Sequence, residues 1–326
     1  MPLFKLPPER VEGLTRLIAS RERWLIAISA DPDALGAAMA LRRIIFRYGG
    51  QAEIGHTNVI SRPDNLAMIR ALRIPLVRIT PGIVAGCQRF AMVDSQPSHS
   101  PLFPDVPYDV ILDHHPKNPS APPQAKHVDI PEGYGACSTL LTQYLYSLGI
   151  RPGKLLATAL FYGIKTDTAS FERDFSSVDV KAFSLLLRYA DKPLLRRIIH
   201  SDFQRGWLAY FSRAFDRLRF IGREGLFAYV GPVENPDVLV VLADFFLRVH
   251  GLSWNLIAGT HEERLVAVMR SDGLRRDMGQ KAQAWFGEYG SAGGRKMAAR
   301  AEIALSRLPG RDVEGFLWER LTKRSG

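Results

Sequence analysis

A chain of 326 residues, 46% hydrophobic and 23% charged, is longer than one typical domain and rich enough in apolar residues to bury a large core. This excludes disordered and collagen-like architectures and predicts two domains. The 2 cysteines, Cys87 and Cys137, exclude a disulfide framework or a cysteine-rich zinc module, and a formal charge of +10 favours anionic partners such as nucleotides or nucleic acid.

The opening MPLFKLPPER carries prolines and charges where a signal peptide needs an apolar run. No apolar stretch reaches the ~18 residues that span a bilayer, so the expectation is a cytoplasmic protein without a membrane partner. Rare cysteines suit that reducing compartment and are expected as small core residues. WLIAIS, from Trp24 to Ser29, reads as a buried strand; the turn Ala30-Asp31-Pro32-Asp33 follows, then a helix with Leu35, Met39, Leu41 and Ile44 apolar. The same pattern recurs in AEIGH before the helical NLAMIRALRI, in RFAMVD ending at Asp94, and in YDVILD ending at Asp113.

Pro116 to Pro123 reads as a loop, Gly135 to Leu148 and Lys154 to Lys165 as helices, the second of them apolar all round and so buried. Charged residues near 191–212 predict a helical connector. It joins a first domain, 1–190, to a smaller α/β domain, 213–326, whose β-rich segments are FIGREGLFAYVG, LSWNLIAGT and RLVAVMRS. Strands alternating with helices predict an α/β fold with a mostly parallel sheet and helices on both faces. Ligands of such sheets bind beyond the carboxyl ends of the strands, where Asp31, Asp33, Asp94, Asp113, His114 and His115 all fall.

Converging carboxylates repel one another and gain protons unless a cation neutralises them. Asp31, Asp33, Asp94, Asp167 and the nearby histidines therefore predict a divalent metal site, and carboxylates mixed with imidazole suit Mn²⁺. Two such ions are suited to displacement at phosphorus. Each residue alone has a plainer explanation, since an Asp at a strand end usually caps a helix or forms a turn.

Taken together, DPDALGAAMAL, AMVDSQP, VILDHHP and FYGIKTDT, in this order, resemble the DHH phosphoesterase superfamily, and GSAGGRKMAARAEI and VMRSDG resemble its accompanying DHHA1 domain. The superfamily includes oligoribonuclease/nucleotide phosphatases, RecJ-type exonucleases and manganese pyrophosphatases. The resemblance implies Asp31 on a first metal, Asp33 and His114 on a second, and Asp94 and Asp167 shared between them. It implies a catalytic group of Asp113, His114 and His115, with Asp113 supporting a histidine and His115 beside the scissile phosphate. Arg270, Gly293, Gly294 and Arg295 would bind the substrate's nucleotide end, across a cleft from the metals.

The chain departs from that pattern at two positions. The superfamily's histidine four residues before the first aspartate is Ala27 here, which weakens the first metal site and leaves one or two Mn²⁺ ions. The histidine after the glycines is Arg295, which binds phosphate but shuttles no proton. His56 is an alternative ligand at the neighbouring strand end.

The leading expectation is a metal-dependent phosphoesterase acting on short oligoribonucleotides or small nucleotides, such as 3′-phosphoadenosine 5′-phosphate or a cyclic dinucleotide, with weakened activity. The alternative is a non-catalytic nucleotide-binding regulatory protein. General nucleic-acid binding ranks last, because no base-stacking motif accompanies the charge. A homodimer is compatible with either reading.

Overall fold

The first strand, β1 (Arg23–Ile28), is apolar over five consecutive residues because both its faces are covered, as in a parallel sheet. The computed structural model describes residues 4–18, 21–201 and 203–322. The chain divides into two compact units, Met1–Ser201 and Asp202–Gly326.

In the first unit, α1 (Pro8–Ile18) precedes β1, and α2 (Pro32–Arg47), β2 (Gln51–His56), α3 (Pro63–Leu72), β3 (Leu76–Arg78), α4 (Pro81–Ala85), β4 (Arg89–Val93), β5 (Val110–Leu112) and β6 (His127–Asp129) follow. The helices α5 (Cys137–Ser147), α6 (Lys154–Asp167), α7 (Ser177–Leu187) and α8 (Lys192–Ile199) complete it. The six strands run in the order β3-β2-β1-β4-β5-β6, all parallel. The order reverses direction between β1 and β4, and there the two adjoining chain connections leave toward opposite sides and open a crevice.

Ile26 and Ile28 face the main core, which α2, α5 and α6 supply with Leu35, Leu41, Leu140 and Leu160. Ala27 faces the other way, into a smaller cluster with Met92, Phe103, Tyr108, Ile111 and Ile130. Connecting segments provide several of that cluster's members. Cys87 and Cys137 are free and buried.

Close approach of α2 and α6 depends on glycine. A Cβ at Gly36 would lie 2.9 Å from the Ala159 carbonyl oxygen, and one at Gly163 would lie 2.5 Å from Ser138 Oγ and 2.9 Å from Asp33 Oδ1. Only hydrogen fits at either position, so the helices meet backbone to backbone.

The second unit contains α9 (Leu208–Asp216), β7 (Arg219–Ile221), β8 (Gly225–Pro232), α10 (Asp237–Phe246), β9 (Trp254–His261), β10 (Arg264–Ser271), α11 (Met278–Phe286), β11 (Ser291–Gly294), β12 (Ala298–Ala304) and α12 (Val313–Thr322). Its strands form a second sheet, β11-β12-β10-β9-β8-β7, antiparallel except where β8 pairs with β9. Of the segment 191–212, α8 belongs to the first unit, burying Leu195 and Ile198 in its core, and α9 belongs to the second.

Candidate metal centre

Three strand ends supply the polar groups. After β1, Asp31 caps α2, its Oδ1 accepting from Ala34 N at 2.9 Å, and Pro32 occupies the first helical position with φ already suited to a helix. Asp33 then falls on the buried side of the first turn, 1% exposed. The amide N–H groups of Cys137 and Ser138 donate to its two oxygens at 2.6 and 2.8 Å. These amides open α5, so a helix N-terminus holds the carboxylate in place.

After β4, Asp94 adopts φ 57°, a left-handed conformation that a non-glycine residue takes only when its surroundings enforce it. Its amide donates to Leu112 O of the neighbouring strand at 2.9 Å, which ties this backbone to the end of β5. After β5, Asp113 is fully buried and accepts from His114 N, from His115 Nδ1 at 2.8 Å and from Gln96 Nε2 at 2.7 Å. His114 donates from Nδ1 to Tyr134 O at 3.0 Å, which fixes its tautomer and turns Nε2 toward the acids. Nε2 lies 2.9 Å from Asp167 Oδ2 and 3.5 Å from Asp94 Oδ1.

Asp33, His114 and Asp167 offer ligand atoms that all lie within 4.8 Å of one another, and so do Asp94, His114 and His115. Asp31 belongs to neither group. Its Oδ1 caps α2, while burial and the nearby charge of Asp167 raise its carboxyl above the ordinary value, so it stands close to the cluster. His56 also stands apart, its Nδ1 2.8 Å from Asn58 O. Ala27 is 1% exposed within its apolar cluster, so a histidine ring there would have to displace Met92, Phe103 or a neighbour.

Burial and the charge of Asp167 push Asp33 up to about 7, although His114 and Ser138 oppose the shift. Burial, with Asp33 and Asp31 nearby, raises Asp94 well above the usual carboxylate range. His114 moves the other way from a typical buried imidazole: burial disfavours its charge, but Asp167 and Asp33 outweigh burial and raise it to about 9. Burial also disfavours Asp113's charge, yet hydrogen bonds from His115 and Gln96 keep its carboxyl below the ordinary value.

A divalent cation fits this arrangement. Asp94 Oδ1 is buried with no hydrogen bond, and the buried His114 Nε2 meets the carboxylates of Asp167 and Asp94, so both atoms face the cluster. Carboxylate oxygens with one imidazole nitrogen form a hard-to-borderline donor set, and a cation would remove the repulsion that raises Asp33 and Asp94.

In the second unit, Arg270 is the penultimate residue of β10 and its Nε donates to Asp244 Oδ1 at 2.6 Å, so an anion there would compete with Asp244. Gly293 and Gly294 form the end of β11. A Cβ at Gly294 would strike the Ala298 carbonyl, whereas one at Gly293 would meet open space. Arg295 stands exposed in the turn to β12, its amide donating to Ala298 O at 2.8 Å.

The site residues expected from the sequence leave out several parts of this centre: the Cys137 and Ser138 amides and the Tyr134 carbonyl, which lie outside the motifs, and Gln96, Gly36 and Gly163, which lie inside them. A signal was present in Gly135-Ala136-Cys137-Ser138-Thr139, a run of small residues leading a helix out of a loop, where amides stand free to meet an anion.

A doubly wound parallel sheet with Asp-x-Asp, a lone Asp and Asp-His-His at three strand ends agrees with the resemblance to the DHH phosphoesterase superfamily that the motifs carry, and the chain shares its fold with an exopolyphosphatase-related protein and with RecJ. The solved structures with this fold include an exopolyphosphatase-related protein from Bacteroides fragilis, with TM-score 0.74 and 14% identity over 97% of this chain and 96% of that one. They also include RecJ from Thermus thermophilus in complex with Mn²⁺, with TM-score 0.56 and 15% identity over 97% of this chain and 55% of that one. Among curated proteins, the uncharacterized MJ1633 of Methanocaldococcus jannaschii is 33% identical over 283 residues, which are 86% of this chain and 57% of that protein. The chain thus spans little more than half the length of the curated relative it matches. No family model matches the sequence. Among the described residues, no helix is long and apolar enough to cross a membrane.

Proposed function

We propose that the chain is a metal-dependent phosphoesterase acting on short oligoribonucleotides or small nucleotides. One observation carries this reading: Asp94 Oδ1, buried without a hydrogen bond, and His114 Nε2, 2.9 Å from Asp167 Oδ2, converge with Asp33 and His115 at the switch point of the sheet. Asp33, Asp94, His114 and Asp167 would hold a divalent ion, and the fold's likeness to RecJ in complex with Mn²⁺ makes Mn²⁺ the ion to test. When bound, the ion would supply Lewis-acid polarisation of a phosphoryl oxygen.

The chain's own residues do the rest. The α5 amides and the Tyr134 carbonyl keep Asp33 and His114 in fixed orientations before any ligand arrives. Asp113 accepts the Nδ1 proton of His115, which leaves Nε2 of this partly exposed ring to hold or release a proton beside a bound phosphate. Arg270, Arg295 and the open backbone at Gly293 are proposed as the nucleotide-binding groups of the second unit.

The test is hydrolysis of di- and oligoribonucleotides, cyclic dinucleotides and pyrophosphate with added Mn²⁺. Cleavage that a chelator abolishes, and that Asp94→Asn lowers at least about a hundredfold, is the expected result. Ala27, enclosed by apolar side chains, favours the second reading, a nucleotide-binding regulator. Tight Mn²⁺ and nucleotide binding without hydrolysis of any substrate would establish that reading and overturn the first.

A further inference from the structure

Wholly within the first unit, a cavity of about 370 Å³ opens beside the cluster. His114 and His115 line it, so whatever fills it adjoins the reacting position. Pro116, Ile130 and Pro131 contribute apolar surface, while Lys117 and Glu132 bring one positive and one negative group, both exposed.

The volume lies in the range of about 300–1,000 Å³ usual for small-molecule sites and accommodates a nucleoside. The lining is wrong for inorganic polyphosphate or pyrophosphate alone. Such a chain of charges would meet the Glu132 carboxylate, would leave three apolar residues unmatched, and would find a single lysine. A flat heterocyclic ring on a ribose suits the same surfaces: the prolines and Ile130 cover the ring, Glu132 accepts from an amine or hydroxyl, and Lys117 pairs with a phosphate.

From this lining we infer that the pocket seats the nucleoside joined to the phosphate that the cluster engages, which makes the substrate a nucleotide rather than an inorganic phosphate polymer. The inference rests on the phosphoesterase reading for the identity of the reacting group. The lining segment runs on from Ile130 to Tyr134, whose carbonyl orients His114, and then to the amides that hold Asp33.

Adenosine 5′-monophosphate and inorganic pyrophosphate are the probes, applied to the full chain carrying isoleucine methyl labels. Adenosine 5′-monophosphate should move the Ile130 methyl resonance upfield, because an aromatic ring lies over it, and pyrophosphate should leave it in place. Glu132→Trp, at an exposed position that folds readily, should fill the pocket and weaken adenosine 5′-monophosphate binding at least about tenfold while changing Mn²⁺ affinity less than about twofold. An Ile130 methyl indifferent to adenosine 5′-monophosphate in a protein that hydrolyses phosphoesters would overturn the pocket and spare the activity. A shifted methyl in a protein that hydrolyses nothing would support the pocket and overturn the activity.

Discussion

Replacing Gly163 by Ala tests whether helix packing aims the metal ligands. The new Cβ would sit 2.5 Å from Ser138 Oγ and 2.9 Å from Asp33 Oδ1, nearer than real Cβ contacts come, and a tight 3.0 Å from Asp33 Cα, so Ser138, Asp33 or α6 has to move. Overpacking of this kind costs about 1–3 kcal/mol, while alanine's better helix propensity returns up to about 1 kcal/mol. The expected net loss is about 1–2 kcal/mol, a fall of a few degrees in Tm. Asp33 is the ligand displaced from its α5 amides, so Mn²⁺ affinity should fall about 10–100-fold. Gly36→Ala is the control: the three atoms nearest its Cβ belong to the Ala159 carbonyl and Ser138 Oγ and none to Asp33. It should cost similar stability with a smaller loss of affinity. Calorimetric Mn²⁺ titration beside thermal melts reads both quantities. A destabilised Gly163→Ala that binds Mn²⁺ as tightly as the parent would refute the reasoning.

Asp109 supports the first unit away from the metal centre, where burial disfavours its charge but Lys126, the Phe90 amide and Arg89 together hold its carboxyl below the usual range. A depressed carboxylate stabilises the fold above the unfolded value near pH 4 and loses that contribution as pH falls through the folded value, so Asp109→Asn should cost about 1–2 kcal/mol in urea unfolding at pH 7 and progressively less as pH falls below about 4. Ala27→His should lower stability by about 1–3 kcal/mol through overpacking against Met92 and Phe103, and Mn²⁺ stoichiometry by calorimetry should be unchanged; a second equivalent bound would show that the ring reaches the cluster instead. Gln96→Ala removes the buried donor to Asp113 Oδ2 and should destabilise by about 1–3 kcal/mol, read by chemical denaturation.

The strand-end acids were legible in the sequence because a parallel sheet imposes a simple rule: short apolar runs end in polar turns, and those ends share one edge. WLIAIS, RFAMVD and YDVILD each obey it, and the structure brings Asp33, Asp94 and His114 together from three of them. Long-range contacts obey no such local rule. Asp33 is held by amides more than 100 residues away, and Gly163 differs from any helical glycine only through what lies across from it. The edge strands β3 and β6, three residues each, are too short to carry a period. Asp31 illustrates a second limit. An aspartate before Pro32 reads equally well as a ligand or as a helix cap, and the cap seen at Ala34 occupies only its Oδ1. Ala27 shows a third, since its consequence depends on the apolar neighbours that surround it.

Anomalous diffraction from crystals soaked in Mn²⁺ tests the central claim most directly. The cluster predicts a peak within coordination distance of Asp33, Asp94, His114 and Asp167, lost in Asp94→Asn. Anomalous density elsewhere on the molecule with none at these four side chains would contradict it.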